Sequence, residues 1–200
     1  MNNTREMDLL HGPLLGRLIR FALPIALSSM LQQLFNAVDT SVVGRFADAK
    51  ALAAVGTNGE IVALLVTVSS GLAVGANVWI AHCIGEEHPE KIPPILHTAL
   101  WLAGVLGLCG ALAGQAIAAP LLQLLNTPAE ILPLAVLYLR IYFAGYPFLL
   151  LYDFGSAILR AKGDSRRPFA ALAASGLLNV ALNLFFVLAC GLGVAGVAIA

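Results

Sequence analysis

Charge is scarce in this chain. Asp, Glu, Lys and Arg make up only 11% of its 200 residues, against about 25% in a soluble domain, so the excess of apolar residues needs lipid to cover it. The charge that is present balances, with eleven basic and eleven acidic side chains, which argues against nucleic acid as a partner. Cysteine is nearly absent. Cys83, Cys109 and Cys190 stand far apart, in or at the ends of apolar runs, with no CxxC pair. They read as buried small hydrophobes rather than metal ligands or disulfide partners. The histidines His11, His82, His88 and His97 fall at loops or span ends without HExxH spacing. A membrane-embedded enzyme needs paired acids, a ligand cluster or a nucleophile–base pair inside its spans, so the chain is expected not to be an enzyme. No cleavable signal peptide stands out: the first apolar run is too long for an h-region and has no small-residue cleavage site behind it.

What is abundant is hydrocarbon. Sixty per cent of the residues are hydrophobic and the mean hydropathy is +0.89. A spanning helix needs roughly 20 such residues, and the chain supplies five runs of that length. They are Phe21 to Gly44, then about Ile61 to Cys83, Ile95 to Ala118, Ile131 to Tyr152 and Phe169 to Cys190. A sixth run begins at Gly191, and ten residues cannot cross a bilayer. The expected fold is an all-α integral membrane bundle of five complete helices plus the start of a sixth. A polar segment, 1–16, precedes a helical lobe, 17–200. The connector Arg45 to Lys50 and the small residues up to Gly59 suggest a short interfacial helix between the first two spans.

The informative residues are the polar ones inside these runs. In the first span Gln32, Asn36 and Asp39 stack on one helical face, with Ser29 one turn before them. A carboxylate facing lipid costs at least about 2–3 kcal/mol, so this face should look at protein or water. The alternative is a helix-end acid paired with Arg45 in water. In the second span Thr67, Ser70 and Asn77 share a face, and Gly71 and Gly75 form a GxxxG spacing that allows close helix approach. The third span carries Gly104, Gly107, Gly110 and Gly114 with little polar chemistry beyond Gln115, and reads as scaffold. In the fourth, Tyr138, Tyr142 and Tyr146 form a ladder at four-residue intervals that lines a pocket or packs between helices. Pro147 after it should bend the helix, and Arg140 snorkels or pairs with an acid. The fifth repeats Ser175, Asn179 and Asn183 at the same interval.

Lys and Arg set orientation. Arg5, Arg17 and Arg20 precede span one, Lys91 lies in the loop before span three, and Arg160, Lys162, Arg166 and Arg167 lie before span five. Only Arg45 and Lys50 occupy loops on the other side. The N-terminus is expected to be cytoplasmic in a multi-pass plasma-membrane protein, with Asp39 in the outer half.

These residues resemble a family. Leu23-Pro24, Leu31-Gln32, Phe35-Asn36-Ala37-Val38-Asp39 and Val43-Gly44-Arg45, followed by Leu52-Ala53-Ala54-Val55-Gly56, are similar to the first helix and loop of multidrug and toxin extrusion (MATE) transporters. Ile80-Ala81 with Gly85, the loop Gly163-Asp164-Ser165-Arg166-Arg167-Pro168, Asn179 with Asn183, and Gly193-Val194-Ala195-Gly196-Val197-Ala198 continue the match in order. The resemblance implies the N-terminal lobe of a twelve-helix, two-lobe antiporter that exchanges Na⁺ or H⁺ for organic, often cationic, compounds. It needs no organic cofactor and lacks here most of helix six and a C-terminal lobe. It implies a coupling role for Asp39, with Asn179 near it. At Asn183 many members carry a second acid; the amide here removes one titratable group and leaves the coupling ion open.

The residues themselves say why such a site would work. A lone acid among amides in a low-dielectric cavity is costly when ionised, and a proton, Na⁺ or an organic cation can each relieve that cost. Asp39, Asn179, Asn183 and Asn36 are the candidate cation-coupling residues, with Na⁺ at Asp39, Asn179 and Asn183 through oxygen ligands. Gln32, Tyr138, Tyr142, Tyr146 and Asn77 are candidates for the substrate cavity, the tyrosines offering ring faces to an organic cation. A lipid-linked sugar flippase of the same superfamily remains the alternative, favoured by a large cationic groove that these spans lack. A membrane fragment that folds without transporting is another.

Overall fold

The computed structural model describes residues 14–200 apart from Ala47 and Glu87. The expected N-terminal segment therefore lies outside the described residues up to position 13, Arg5 and His11 included. Six α-helices follow: α1 (Leu14–Phe46), α2 (Ala49–Gly85), α3 (Ile92–Leu124), α4 (Leu132–Ala161), α5 (Arg166–Leu184) and α6 (Gly193–Ile199). A 3₁₀ turn at Pro89–Lys91 precedes α3, and α5 runs on as a π-helical segment, Phe185–Ala189. Among the described residues five helices are long and apolar enough to cross a membrane. In lipid every backbone N–H and C=O must be satisfied inside the segment, which is what a helix does.

The helices are longer than the apolar runs. At 37 residues α2 is about 55 Å long, well beyond a hydrocarbon core of about 30 Å. Its first turns absorb the stretch expected to be a separate interfacial helix. Asp48 ends the break after α1 by accepting the Ala51 N–H at 2.7 Å, a cap that starts α2 at once. Pro120, expected in a loop, lies inside α3, and α4 continues three turns past Tyr152. Several hydroxyls within the spans are satisfied by their own helix. Ser28 donates to Pro24 O at 2.8 Å, Thr40 to Asn36 O at 2.9 Å and Thr67 to Ala63 O at 2.8 Å.

Packing is uneven. The central helix α4 lies along α2 and α3, while α1 packs mainly on α5. Two apolar clusters stack along the bundle. Tyr146, Leu150, Phe154 and Ala157 of α4 meet Ala73 and Ile80 of α2 and Ala99 and Ala103 of α3 toward the end where α1 begins. Val42, Val43, Ala54, Leu122, Leu139, Val187 and Val194 close the opposite end. The glycines of α3 let α4 approach: a Cβ at Gly107 would stand 2.6 Å from Pro147 Cα, and at Gly110 2.7 Å from the Tyr146 ring. The GxxxG pair Gly71 and Gly75 does not serve this purpose, because both are exposed and a Cβ at either meets nothing. Arg140 is also exposed, without a carboxylate partner among the described residues.

The basic loop before α5 is organised by one acid. Asp164 is 2% exposed. It accepts the backbone N–H groups of Arg166 and Arg167 at 3.0 and 3.1 Å, and Arg167 Nε lies 3.1 Å from its second oxygen. This is an N-cap in function, with negative charge at the positive end of the helix dipole. Asp164→Ala is expected to lower unfolding stability by about 1–2 kcal/mol, and Asp164→Asn, itself a good cap, by less. Denaturant titration in micelles with tryptophan fluorescence would show the order.

Candidate functional site

The α1–α5 contact sets the position of Asp39. Gly176 of α5 is buried directly against the ring of Phe35, where a Cβ would collide with it. One turn further along α1 and two turns further along α5, this close approach brings Asp39 to Asn183. Asn183 Nδ2 donates to Asp39 Oδ1 and lies 3.3 Å from Asn179 Oδ1. With an oxygen on either side, the amide nitrogen has to point this way, since the flipped orientation would set oxygen against oxygen. Asn183 is fully buried and its own Oδ1 has no donor. Asp39 is half-buried and makes no ion pair with Arg45 among the described residues. Immediately after Asn183 the backbone widens into the π-segment and breaks at Gly191 and Gly193, both at positive φ. Such bulges gather at functional positions.

The other sequence candidates divide. Tyr138 is partly buried against the apolar cluster beside Asp39, and Tyr142 is also half-buried. Tyr146 is turned away. It is buried between α2 and α3, with Ser69 Oγ donating to its hydroxyl at 3.1 Å, so only the first two rungs of the ladder can face a cavity. Gln32 and Asn36 are exposed along α1. Asn77 belongs elsewhere: it donates to Ala157 O at 2.8 Å and lines a cavity with Asp153 and Arg160. Two polar residues escaped the sequence reading. Asn58 is fully buried and ties α2 to α4 by donating to Ala54 O and Ala135 O at 2.8 and 3.1 Å. Asp153 is an acid within α4. The uncharged run Phe154 to Leu159 beyond it was the signal that the span had not ended at Tyr152.

A family model described as MatE matches residues 24–195. The chain belongs to the MatE family. The "Probable multidrug resistance protein YpnP" of Bacillus subtilis is 32% identical over 194 residues, 97% of this chain and 44% of that protein. A protein named "FAD transporter" from Shewanella oneidensis is 26% identical over 92% of this chain and 40% of its own length. Among solved structures, a MOP superfamily transporter from Pyrococcus furiosus superposes with a TM-score of 0.90 at 27% identity, covering 99% of this chain and 44% of that one. The chain thus spans less than half the length of the relatives it matches. The all-α arrangement of five long helices and a short sixth is the one expected, and Asp39, Asn179 and Asn183 converge on the α1–α5 interface of this MatE fold.

Proposed function

We propose that residues 17–200 act as the N-terminal lobe of a cation-coupled efflux transporter that exchanges Na⁺ or H⁺ for organic, drug-like and mainly cationic compounds. Asp39 is the carboxylate for which the cations compete. The observation that carries this reading is the pairing of Asp39 with a fully buried Asn183 whose carbonyl oxygen is left without a donor. A half-buried carboxylate beside a buried, unsatisfied acceptor is a site short of positive charge. The donor set fits a hard cation, which takes oxygen ligands. Asp39, Asn179 and Asn183 would hold Na⁺, and the free oxygen of Asp39 would equally hold a proton. Whichever cation occupies Asp39 excludes the others, and competition for one charge gives exchange.

Asn36 and Gln32 on the exposed face of α1, with Tyr138 and Tyr142 on α4, supply the substrate-facing groups. The ring faces suit organic cations. The distribution of Lys and Arg supports a cytoplasmic N-terminus in the plasma membrane, which puts Asp39 toward the outer side. The partners are the bilayer, the organic substrate and a C-terminal lobe.

The test is gradient-driven efflux in everted membrane vesicles from cells producing the full transporter that carries this chain. Ethidium movement should follow an imposed Na⁺ or proton gradient and stop when monensin or nigericin dissipates the gradient that drives it. Movement indifferent to both gradients would remove the coupling.

A further inference from the structure

A polar cavity lies between α1, α2 and α4, toward the end of the bundle where α1 begins. It measures about 280 Å³ and is lined by Phe21 and Ile25 of α1, Ser70 and Asn77 of α2, and Asp153 and Arg160 of α4. It is near the lower size limit of small-molecule sites. Asp39 is not among its walls, and its neighbours Val38 and Val42 belong to the opposite apolar cluster.

The chemistry of its lining is specific. Asp153 and Arg160 are seven residues apart, two helical turns and about 10.5 Å of rise, so both reach the same space from one helix face. They are not ion-paired with each other, and neither is paired elsewhere among the described residues. The carboxylate receives one long hydrogen bond, from Ser70 Oγ at 3.4 Å. Asn77 spends its amide nitrogen on Ala157 O, which leaves its oxygen as an acceptor. At one end, then, the cavity offers a carboxylate and at the other a guanidinium, with Asn77 at the level of Ala157 between them and Phe21 also on the wall. Opposite charges held apart in a low-dielectric cavity are each under-compensated, and a ligand carrying the complementary pair satisfies both.

We propose that this cavity binds a small zwitterion, its ammonium group on Asp153 and its acid group on Arg160, with the Asn77 oxygen as a further acceptor between them. Ser70 fixes the carboxylate, and Phe21 packs on the apolar body of the ligand. The site is separate from Asp39 and does not depend on ion exchange there.

Binding to the detergent-solubilised chain, followed by isothermal titration calorimetry at pH 7, tests this with one scaffold in three charge states. The probes are 4-(aminomethyl)benzoic acid as the zwitterion, its methyl ester as the cation and its N-acetyl derivative as the anion. The zwitterion should bind about tenfold tighter than either, the factor supplied by one further charge-assisted hydrogen bond. Asp153→Asn and Arg160→Gln should each erase that preference, and Arg160→Lys should retain most of it. Asp39→Asn should leave the preference for the zwitterion in place, which separates this site from the coupling reading. Equal affinities for the three compounds, no binding of any, a preference that survives both Asp153→Asn and Arg160→Gln, or a preference lost in Asp39→Asn would overturn the proposal.

Discussion

Asp39→Asn is expected to abolish ion-driven efflux, roughly a 100-fold loss or more, while folded protein accumulates at its normal level. The substitution is nearly isosteric, and Asn183 Nδ2 can still donate to the oxygen that replaces Asp39 Oδ1. What disappears is the charge. A factor of 100 corresponds to about 2.7 kcal/mol of lost differential binding, within reach for a neutralised buried site. Stability should stay level or rise, because the desolvation cost of a carboxylate among apolar helices goes with the charge. Asn183→Ala makes the complementary case. It keeps the charge and removes its donor, a bond to a charged group worth about 1.5–3 kcal/mol, so it should impair both stability and efflux. Everted-vesicle transport paired with thermal unfolding distinguishes the two. Wild-type efflux in Asp39→Asn would take Asp39 out of the mechanism.

The fold was legible because lipid imposes one rule on the backbone. Runs of apolar residues longer than about 20 must be helices, so five helices and a sixth start could be read directly. Their ends could not. Hydropathy marks where a helix leaves hydrocarbon, not where it stops, and the first turns of α2 and the last three turns of α4 lie beyond that limit. Closing the fourth span at Tyr152 hid Asp153, the acid of the polar cavity between α1, α2 and α4. Asp39, Asn179 and Asn183 were legible for a different reason: an acid and two amides at helical spacing in apolar runs have few compatible surroundings. Whether they meet depends on Gly176 lying against Phe35, a contact across 141 positions of chain that no local pattern encodes. The tyrosine ladder divides at Tyr146 for the same reason. Helical spacing puts three phenols on one face, but the packing of α4 between α2 and α3 decides which of them face a neighbour.

Glycine gives the second large effect. Gly107→Leu should destabilise the bundle by about 3 kcal/mol or more, and Gly107→Ala by about 1–3 kcal/mol. The added Cβ meets Pro147 Cα at 2.6 Å and Pro147 Cβ at 3.1 Å. These atoms belong to the backbone and to a ring, so no rotamer change can move them away. The helices themselves would have to part. Gly110 and Gly114 face the buried rings of Tyr146 and Phe143, so Gly110→Ala and Gly114→Ala should likewise cost about 1–3 kcal/mol. Lipid tails are as apolar as the side chains, so close packing between helices is much of what holds them together, and lost contact is not offset by hydrophobic burial. Gly71→Ala and Gly75→Ala provide the contrast. Both glycines have the better-known spacing, yet a Cβ at either meets nothing, and both changes should fall within about 0.5 kcal/mol of wild type or slightly stabilise through helix propensity. Denaturant titration in micelles ranks the six variants. If Gly107→Ala proved as mild as Gly71→Ala, α3 and α4 would not be packed backbone to backbone, and the central position of α4, from which both the Tyr138 face and the Asp153 cavity are built, would have to be redrawn.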